Sequence, residues 1–325
     1  MKANAIRIHE TGGPEVLSWD TVEVARPGPG EILLRQTAVG LNFIDTYHRT
    51  GLYPLPDLPA VLGREAAGIV EEIGAGVSEP AVGDRVAYAL HPGSYAELRV
   101  IPADRVVRLP QEIDDRMAAG AMLKGLTAQY LLRRTYPVRA GETILLHAAA
   151  GGVGLIACQW AKHLGATVIG TVGTPEKTDL ARAHGCDHPV LYDREDFVER
   201  VREITGGKGV RVVFDSVGRD TFERSLDCLA PRGLMVSFGQ ASGAVPPLNL
   251  GVLAQKGSLF LTRPTLATYI ATREDLVSAA EELFEVLRRG AVKVEIGQTY
   301  PLKDAARAHR ELEQRKTTGS SLLIP

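Results

Sequence analysis

Residues 143–165 read Thr-Ile-Leu-Leu-His-Ala-Ala-Ala-Gly-Gly-Val-Gly-Leu-Ile-Ala-Cys-Gln-Trp-Ala-Lys-His-Leu-Gly. The first five residues make a buried strand. The glycines at 151, 152 and 154 make a tight turn, and the residues after them make a helix with one apolar face (Val153, Ile156, Ala157, Trp160 and Leu164). A strand, glycine turn and helix in this order aim helix backbone N–H groups at an anion, most often the pyrophosphate of a dinucleotide. The spacing is AxxGxxG rather than GxGxxG, so the turn needs support from its surroundings.

That support comes from the stretch around it. Thr167–Val172, Val190–Tyr192, Arg211–Asp215, Leu234–Phe238 and Ser258–Thr262 are further apolar strands, separated by helical patterns. Six strands with intervening helices predict a doubly wound parallel α/β sheet. After the second strand, Thr174 suits an N-cap, Pro175 the first helical position and Gly185 the exit. Upstream the texture is different. Ala3–Ile8, Ile32–Val39, Ala66–Ile73, Arg85–Ala89 and Glu97–Ile101 are short strands punctuated by Pro27-Gly-Pro-Gly30 and Gly74-Ala-Gly76. Many short strands with little helix predict a partly antiparallel, barrel-like domain. The tail returns to mixed structure. A capping-box start at Thr272–Asp275 opens a helix to about Arg289, with strands at Val292–Ile296 and Ser321–Ile324 flanking a helix near Ala305–Gln314. The division expected is 1–122 with 265–325 as one domain and 123–264 as the nucleotide domain.

The dinucleotide is read from the tip of the second strand. An NAD site usually places a carboxylate there for the ribose 2′-hydroxyl. Here the tip is Thr171-Val-Gly-Thr174. Lys177, one turn into the next helix, supplies a cation, and Tyr192, ending the third strand, a hydroxyl; both suit a 2′-phosphate and therefore NADPH. Glu176 would oppose a phosphate unless it points to solvent. A solvated lysine and an edge-strand aromatic are the plainer alternatives for Lys177 and Tyr192.

Beyond this stretch the chain resembles the zinc-independent quinone oxidoreductases of the medium-chain dehydrogenase/reductase superfamily, the relatives of zeta-crystallin. The resemblance is carried by Asn42-Phe-Ile-Asp-Thr-Tyr-His-Arg-Thr-Gly-Leu-Tyr53, Gly63-Arg-Glu-Ala-Ala-Gly-Ile-Val70, Val82-Gly-Asp-Arg-Val86 and Lys124-Gly-Leu-Thr127. It continues through the glycine turn, Asp215-Ser-Val-Gly218, Ser237-Phe-Gly239 and Thr262-Arg-Pro-Thr265. It implies a GroES-like catalytic domain built from both chain ends, a Rossmann domain between them and a cleft where they meet. It implies that Asn42, Asp45 and Tyr47 lie near the nicotinamide. Thr127, Gly151, Gly152 and Val153 would meet the phosphates and adjoining ribose, and Gly173, Lys177 and Tyr192 the 2′-phosphate end. Ser216, Phe238, Gly239 and Arg263 would line the nicotinamide half, and Arg315 would add a cation to the phosphates. The zinc-dependent relatives carry Cys and His ligands where this chain has Asn42 and Arg64, and their four-cysteine run is absent. A protonated arginine has no lone pair for zinc, so no metal is expected. Glu65 and Asp84 read as structural, pairing with arginines such as Arg64 or Arg85 or accepting backbone hydrogen bonds.

The expected activity is NADPH-dependent quinone reduction, with Asn42, Tyr47 and Tyr53 as the residues that orient the nicotinamide or acceptor. Each also suits a packing or turn role. A quinone is already electrophilic, so positioning rather than an acid/base triad carries the catalysis. Whether one or two electrons move at a time is not legible. NADPH-dependent reduction of enone or alkenal C=C bonds is the alternative; a non-enzymatic NADPH-binding role, crystallin-like or RNA-binding, is a third. The net charge of −2 over 325 residues argues against nucleic acid. The three separated cysteines form no disulfide or zinc framework and suit a reducing cytosol. No apolar run reaches the ~18 residues of a membrane span. A cytoplasmic protein is expected; the apolar sixth Rossmann strand would be a pairing surface, and the resemblance implies a homodimer joined through the Rossmann sheets. His147 reads as a packed histidine and Cys158 as a packed thiol, while His48, His91 and His309 show no partner pattern.

Overall fold

The computed structural model describes all 325 residues. From the N-terminus run β1 (Lys2–Ile8), β2 (Ser18–Glu23), β3 (Glu31–Leu41), α1 (Phe43–Arg49), β4 (Ala60–Val61), β5 (Glu65–Ile73), β6 (Arg85–Ala89), β7 (Leu98–Pro102), β8 (Val107–Arg108) and α2 (Asp115–Gln129). The middle of the chain forms β9 (Thr143–Leu146), α3 (Gly152–His163), β10 (Thr167–Val172), α4 (Pro175–Ala183), β11 (His188–Leu191), α5 (Phe197–Ile204) and β12 (Val210–Asp215). It goes on with α6 (Phe222–Ser225), β13 (Leu229–Ser237), α7 (Gly251–Gln255), β14 (Phe260–Thr262) and α8 (Leu266–Tyr269). The tail adds α9 (Arg273–Arg288), β15 (Ile296–Pro301), α10 (Ala305–Glu313) and β16 (Ser320–Ile324).

These elements form two compact units. One comprises residues 1–126, 270–288 and 294–325; the other comprises 127–269 and 289–293. The division falls a few residues beyond the sequence boundaries of 122 and 264. It lies within α2 at one end and directly after α8 at the other, so no loop composition marks it.

In the first unit, seven strands make a sheet in the order β15-β16-β3-β5-β6-β8, with β7 also on β3, and β2-β1-β4 make a second sheet. All pairs are antiparallel except β15–β16. The core between them includes Ile6, Leu34, Val86, Ile101 and Leu323. In the second unit, six parallel strands run in the order β11-β10-β9-β12-β13-β14. That is the doubly wound 3-2-1-4-5-6 order, which opens a ligand crevice at the carboxyl ends of the strands. Ile144, Leu145 and Leu146 of β9 are all buried, as a central strand covered on both faces requires. Thr174 caps α4 by accepting from Lys177 N, with Pro175 at the first position.

One expected strand is misplaced. Residues 292–295 are not paired; the strand begins at Ile296. The Lys293 backbone instead exchanges hydrogen bonds with the Gln159 side chain (Lys293 N to Oε1 at 2.9 Å, Nε2 to Lys293 O at 3.0 Å), which occupies the groups a ladder would use. All three thiols are buried and free. A hydrogen bond with Cys186, and burial, hold the Cys158 thiol well above its ordinary value, and burial pushes Cys228 up to about 12.

Candidate functional site

In the second unit the glycine turn stands at the carboxyl end of β9. Ala148 takes φ +56°, and Gly151 N–H returns to Ala148 O at 3.0 Å. A Cβ on Gly154 would lie 2.2 Å from Ala148 O, so glycine is what lets α3 start this close to the strand. Gly151 is the N-cap and offers no side-chain cap, which leaves the first-turn amides at Gly152 and Val153 for an external acceptor.

Two further groups stand at the same end of the sheet. Beyond β10, Tyr192 N–H bonds Val172 O at 3.2 Å, and the Tyr192 hydroxyl is so near Gly173 that a Cβ there would lie 2.9 Å from it. Lys177 is in the first turn of α4 beside them, and Glu176 is exposed. Gly173 and Tyr192 are therefore brought together, with Lys177 in the adjoining helix turn; the Glu176 carboxylate is held below its ordinary pKa by its own backbone N–H and the Thr174 hydroxyl. Beyond β12, Asp215 Oδ1 accepts from Val217 N, Gly218 N and the Thr221 hydroxyl, and so shapes the loop that begins with Ser216. Phe238 N–H bonds Asp215 O at 2.8 Å, and a Cβ on Gly239 would lie 2.5 Å from Ser216 O. Arg263 Nη1 donates to Ser237 O and Gly239 O, both at 2.9 Å, tying the ends of β13 and β14. Ser216, Phe238, Gly239 and Arg263 thus form one group. Thr127 is buried near the end of α2. His147 bonds the Thr171 and Ser225 hydroxyls at 2.9 and 2.8 Å, a packed histidine that burial keeps below its usual pKa.

In the first unit, Asn42 N-caps α1, with its backbone N–H donating to Asp45 Oδ2 at 2.9 Å. Tyr47 and Tyr53 pack edge-to-face at 5.2 Å between centroids, joined by Tyr53 N–H on Tyr47 O at 3.0 Å. Tyr53 lies in the loop between α1 and β4, half-buried and packed on Tyr47. Arg315 follows α10 with φ +59° and is exposed.

The surroundings of Asn42 were not legible. Its amide nitrogen donates to Glu65 Oε2 at 2.8 Å, and the same oxygen accepts from Lys124 Nζ at 2.8 Å. Glu65 Oε1 accepts from Leu123 N at 2.6 Å. Gly40 packs against this carboxylate so tightly that a Cβ would lie 2.1 Å from Glu65 Oε2. Glu65 thus accepts a backbone N–H, as one of the two sequence alternatives had it, and its ion-pair partner is Lys124 rather than an arginine. Arg85 pairs with Asp115, Asp84 with Arg108, and Arg64 donates to Leu90 O.

Asp45 is wholly buried. Burial pushes its carboxyl up to about 7, against the Asn42 N–H and Tyr95 hydroxyl bonds and the Arg64 and Lys124 charges, which pull it down. Its Oδ1 is buried without a partner. Tyr95 and His309, both buried, were also missed. They lie 50 and 264 residues from Asp45 in the chain, and no spacing pattern links them. No trio of His, Cys, Asp or Glu side chains is grouped to hold a metal. Near Asn42 the groups at the positions of zinc ligands are N–H donors, the Asn42 amide on Glu65 and the Arg64 guanidinium on Leu90 O, which do not fit a zinc ion.

Comparison with known proteins bears on what these groups hold. Residues 28–111 match the alcohol dehydrogenase GroES-like domain family, and residues 152–289 match the zinc-binding dehydrogenase family. A quinone oxidoreductase of Pseudomonas aeruginosa is 57% identical over 324 residues, covering 99% of this chain and 100% of the relative. A 2-haloacrylate reductase of a Burkholderia species is 49% identical over 328 residues, covering 98% of each. The structure of Escherichia coli quinone oxidoreductase complexed with NADPH superposes with a TM-score of 0.98 at 57% identity, covering 99% of this chain and 100% of that one. With its GroES-like and Rossmann units and these relatives along its whole length, the chain belongs to the quinone oxidoreductase family of the medium-chain dehydrogenase/reductase superfamily.

Proposed function

We propose that this protein is an NADPH:quinone reductase that works without zinc. The observation that carries the reading is the end of the parallel sheet. An uncapped α3 N-terminus behind Gly154 faces the same edge as Gly173, Lys177 and Tyr192, with no acid among residues 171–174 that end β10. Those groups fit a dinucleotide with a 2′-phosphate, and the 57% identity to a relative solved with NADPH agrees. When bound, NADPH supplies the reducing equivalents. The first-turn amides at Gly152 and Val153, after Gly151, take the pyrophosphate; Thr127 supports the adjoining ribose. Lys177, Gly173 and Tyr192 hold the 2′-phosphate. Ser216, Phe238, Gly239 and Arg263 line the nicotinamide half, and Arg315 adds a cation for the phosphates. Asn42, Asp45 and Tyr47 orient the ring and acceptor, with Tyr53 braced on Tyr47.

Catalysis is then mostly positioning, because the acceptor is already electrophilic. The test is NADPH oxidation with 1,4-quinones before and after exhaustive chelation. Turnover should survive chelation; turnover that needs added metal overturns the zinc-free reading. An enone or 2-haloacrylate assayed in parallel tests a second reading, reduction of an activated C=C bond, which the 49% identity to a 2-haloacrylate reductase favours. A kcat/KM for the C=C substrate above that for every quinone would install it.

The protein is proposed to be a cytoplasmic homodimer. No helix is long and apolar enough to cross a membrane. β14 is the sheet's edge and exposes Phe260 at 61% and Leu261 at 37%, an apolar edge suited to pairing with a second copy. Sedimentation should give a dimer that Phe260→Lys weakens, and a wild-type monomer at all concentrations would refute it.

A further inference from the structure

The buried contacts of Asp45 extend into a chain with a single possible direction. Glu313 accepts a two-pronged bond from Arg49 (Nη1 at 3.1 Å and Nη2 at 2.6 Å). Arg49 Nη1 also lies 3.0 Å from His309 Nδ1. A guanidinium can only donate, so Nδ1 accepts and the ring proton sits on Nε2. Nε2 lies 3.0 Å from the Tyr95 hydroxyl, and must therefore donate to it. The Tyr95 hydroxyl, with its oxygen occupied, donates to Asp45 Oδ2 at 3.0 Å. That oxygen already accepts from Asn42 N–H. Oδ2 already faces two donors, so when Asp45 takes a proton the open position is Oδ1, the oxygen the protein leaves without a partner.

We propose that Tyr95, His309 and Arg49 are positioning residues for Asp45, a one-way hydrogen-bond chain that starts at Arg49, itself anchored on Glu313, keeps Oδ2 an acceptor, assigns the carboxyl proton to Oδ1 and so orients Asp45 for its work beside Asn42 and Tyr47. This rests on the reading that Asp45 serves the NADPH and acceptor site. The chain is built for permanence. The Arg49 side chain is 1% exposed, while Glu313 at 35% keeps one end in reach of solvent. Burial, and the charge of Arg49, hold His309 down to about 3, so the imidazole stays neutral and its tautomer does not change at physiological pH. The charged groups facing Asp45 are Arg64 and Lys124; Glu65 acts on its partner Tyr95, as does Arg49.

The sign of the effect follows. The Tyr95 hydroxyl bond favours the Asp45 carboxylate, so its loss raises the pH at which Asp45 ionises. Tyr95→Phe should move the 13C carboxyl titration of Asp45, identified by its absence in Asp45→Asn, upward by about half a unit to one unit. The inflection in kcat/KM for a 1,4-quinone should move in the same direction. His309→Phe should do likewise. His309→Gln, whose amide can accept from Arg49 and donate to Tyr95, should restore the wild-type profile even if it melts earlier. A purely structural role would lower the melting temperature in all three variants and leave the profile in place, and that result overturns the proposal. NADPH titration by fluorescence separates the two levels. If Asp45→Asn changes neither NADPH affinity nor the profile, the reading of Asp45 falls, and this inference with it. If Asp45→Asn changes them while Tyr95→Phe and His309→Phe do not, this inference falls alone.

Discussion

Lys124→Met should cost about 3–5 kcal/mol of folding stability, the usual cost of stripping one partner from a buried ion pair. Glu65 is fully buried and the Lys124 side chain is 6% exposed. Without the ammonium, Glu65 keeps only Leu123 N–H and the Asn42 amide as donors, and its charge has no partner at contact distance. Folded domains hold about 5–15 kcal/mol in total, so the loss is a large share of what keeps the first unit folded. Urea unfolding of the variant against the wild type measures it. Adding Glu65→Gln to Lys124→Met should recover most of the loss, because the neutral amide still accepts Leu123 N–H while the stranded charge is gone. If Lys124→Met alone costs under about 1 kcal/mol, a range typical of exposed pairs, the cluster tolerates an open charge and this account is wrong.

Lys177→Ala should weaken NADPH about ten- to hundredfold and leave NADH nearly unchanged. A hydrogen bond to a charged group is worth about 1.5–3 kcal/mol, and each 1.4 kcal/mol is about tenfold in affinity. The 2′-phosphate is the part of NADPH that NADH lacks, so a cation serving it acts on one cofactor and not the other. Glu176, one residue earlier in the same helix turn, is exposed, and its carboxylate is engaged by its own backbone N–H and the Thr174 hydroxyl. Fluorescence titration of both cofactors at low and moderate salt reads the difference. Equal weakening of the two would mean that Lys177 supports the helix and not the phosphate.

The Rossmann unit was legible because its determinants are local. A strand, turn and helix within 23 residues, and a Thr174–Pro175 helix start, write their geometry into consecutive side chains. The groups at the strand tips could be assembled from sequence for the same reason, since each follows its strand directly. The first unit hid more. Asp45, Arg49, Tyr95, His309 and Glu313 meet only because β16 and α10 return to β3 and α1 from the far end of the chain. His309 accordingly showed no partner pattern in the sequence. Glu65 was correctly read as structural, but its neighbours in sequence were poor guides to its partner. Arg64 precedes β5 and its guanidinium is taken by Leu90 O, and the cation that reaches Glu65 comes from α2. The displaced start of β15 has a similar origin, in that a glutamine from α3 outcompeted a strand partner for the Lys293 backbone.

The seclusion of the three thiols bears on survival in the presence of the proposed acceptors. Quinones and enones are arylating and alkylating agents, and they consume thiolate faster than any other protein group. Cys158, Cys186 and Cys228 are all buried, and the first and last are held protonated far above neutral pH. A reductase of such electrophiles built in this way presents them with reducing equivalents and no exposed thiol, so it can turn them over without a cysteine becoming their adduct.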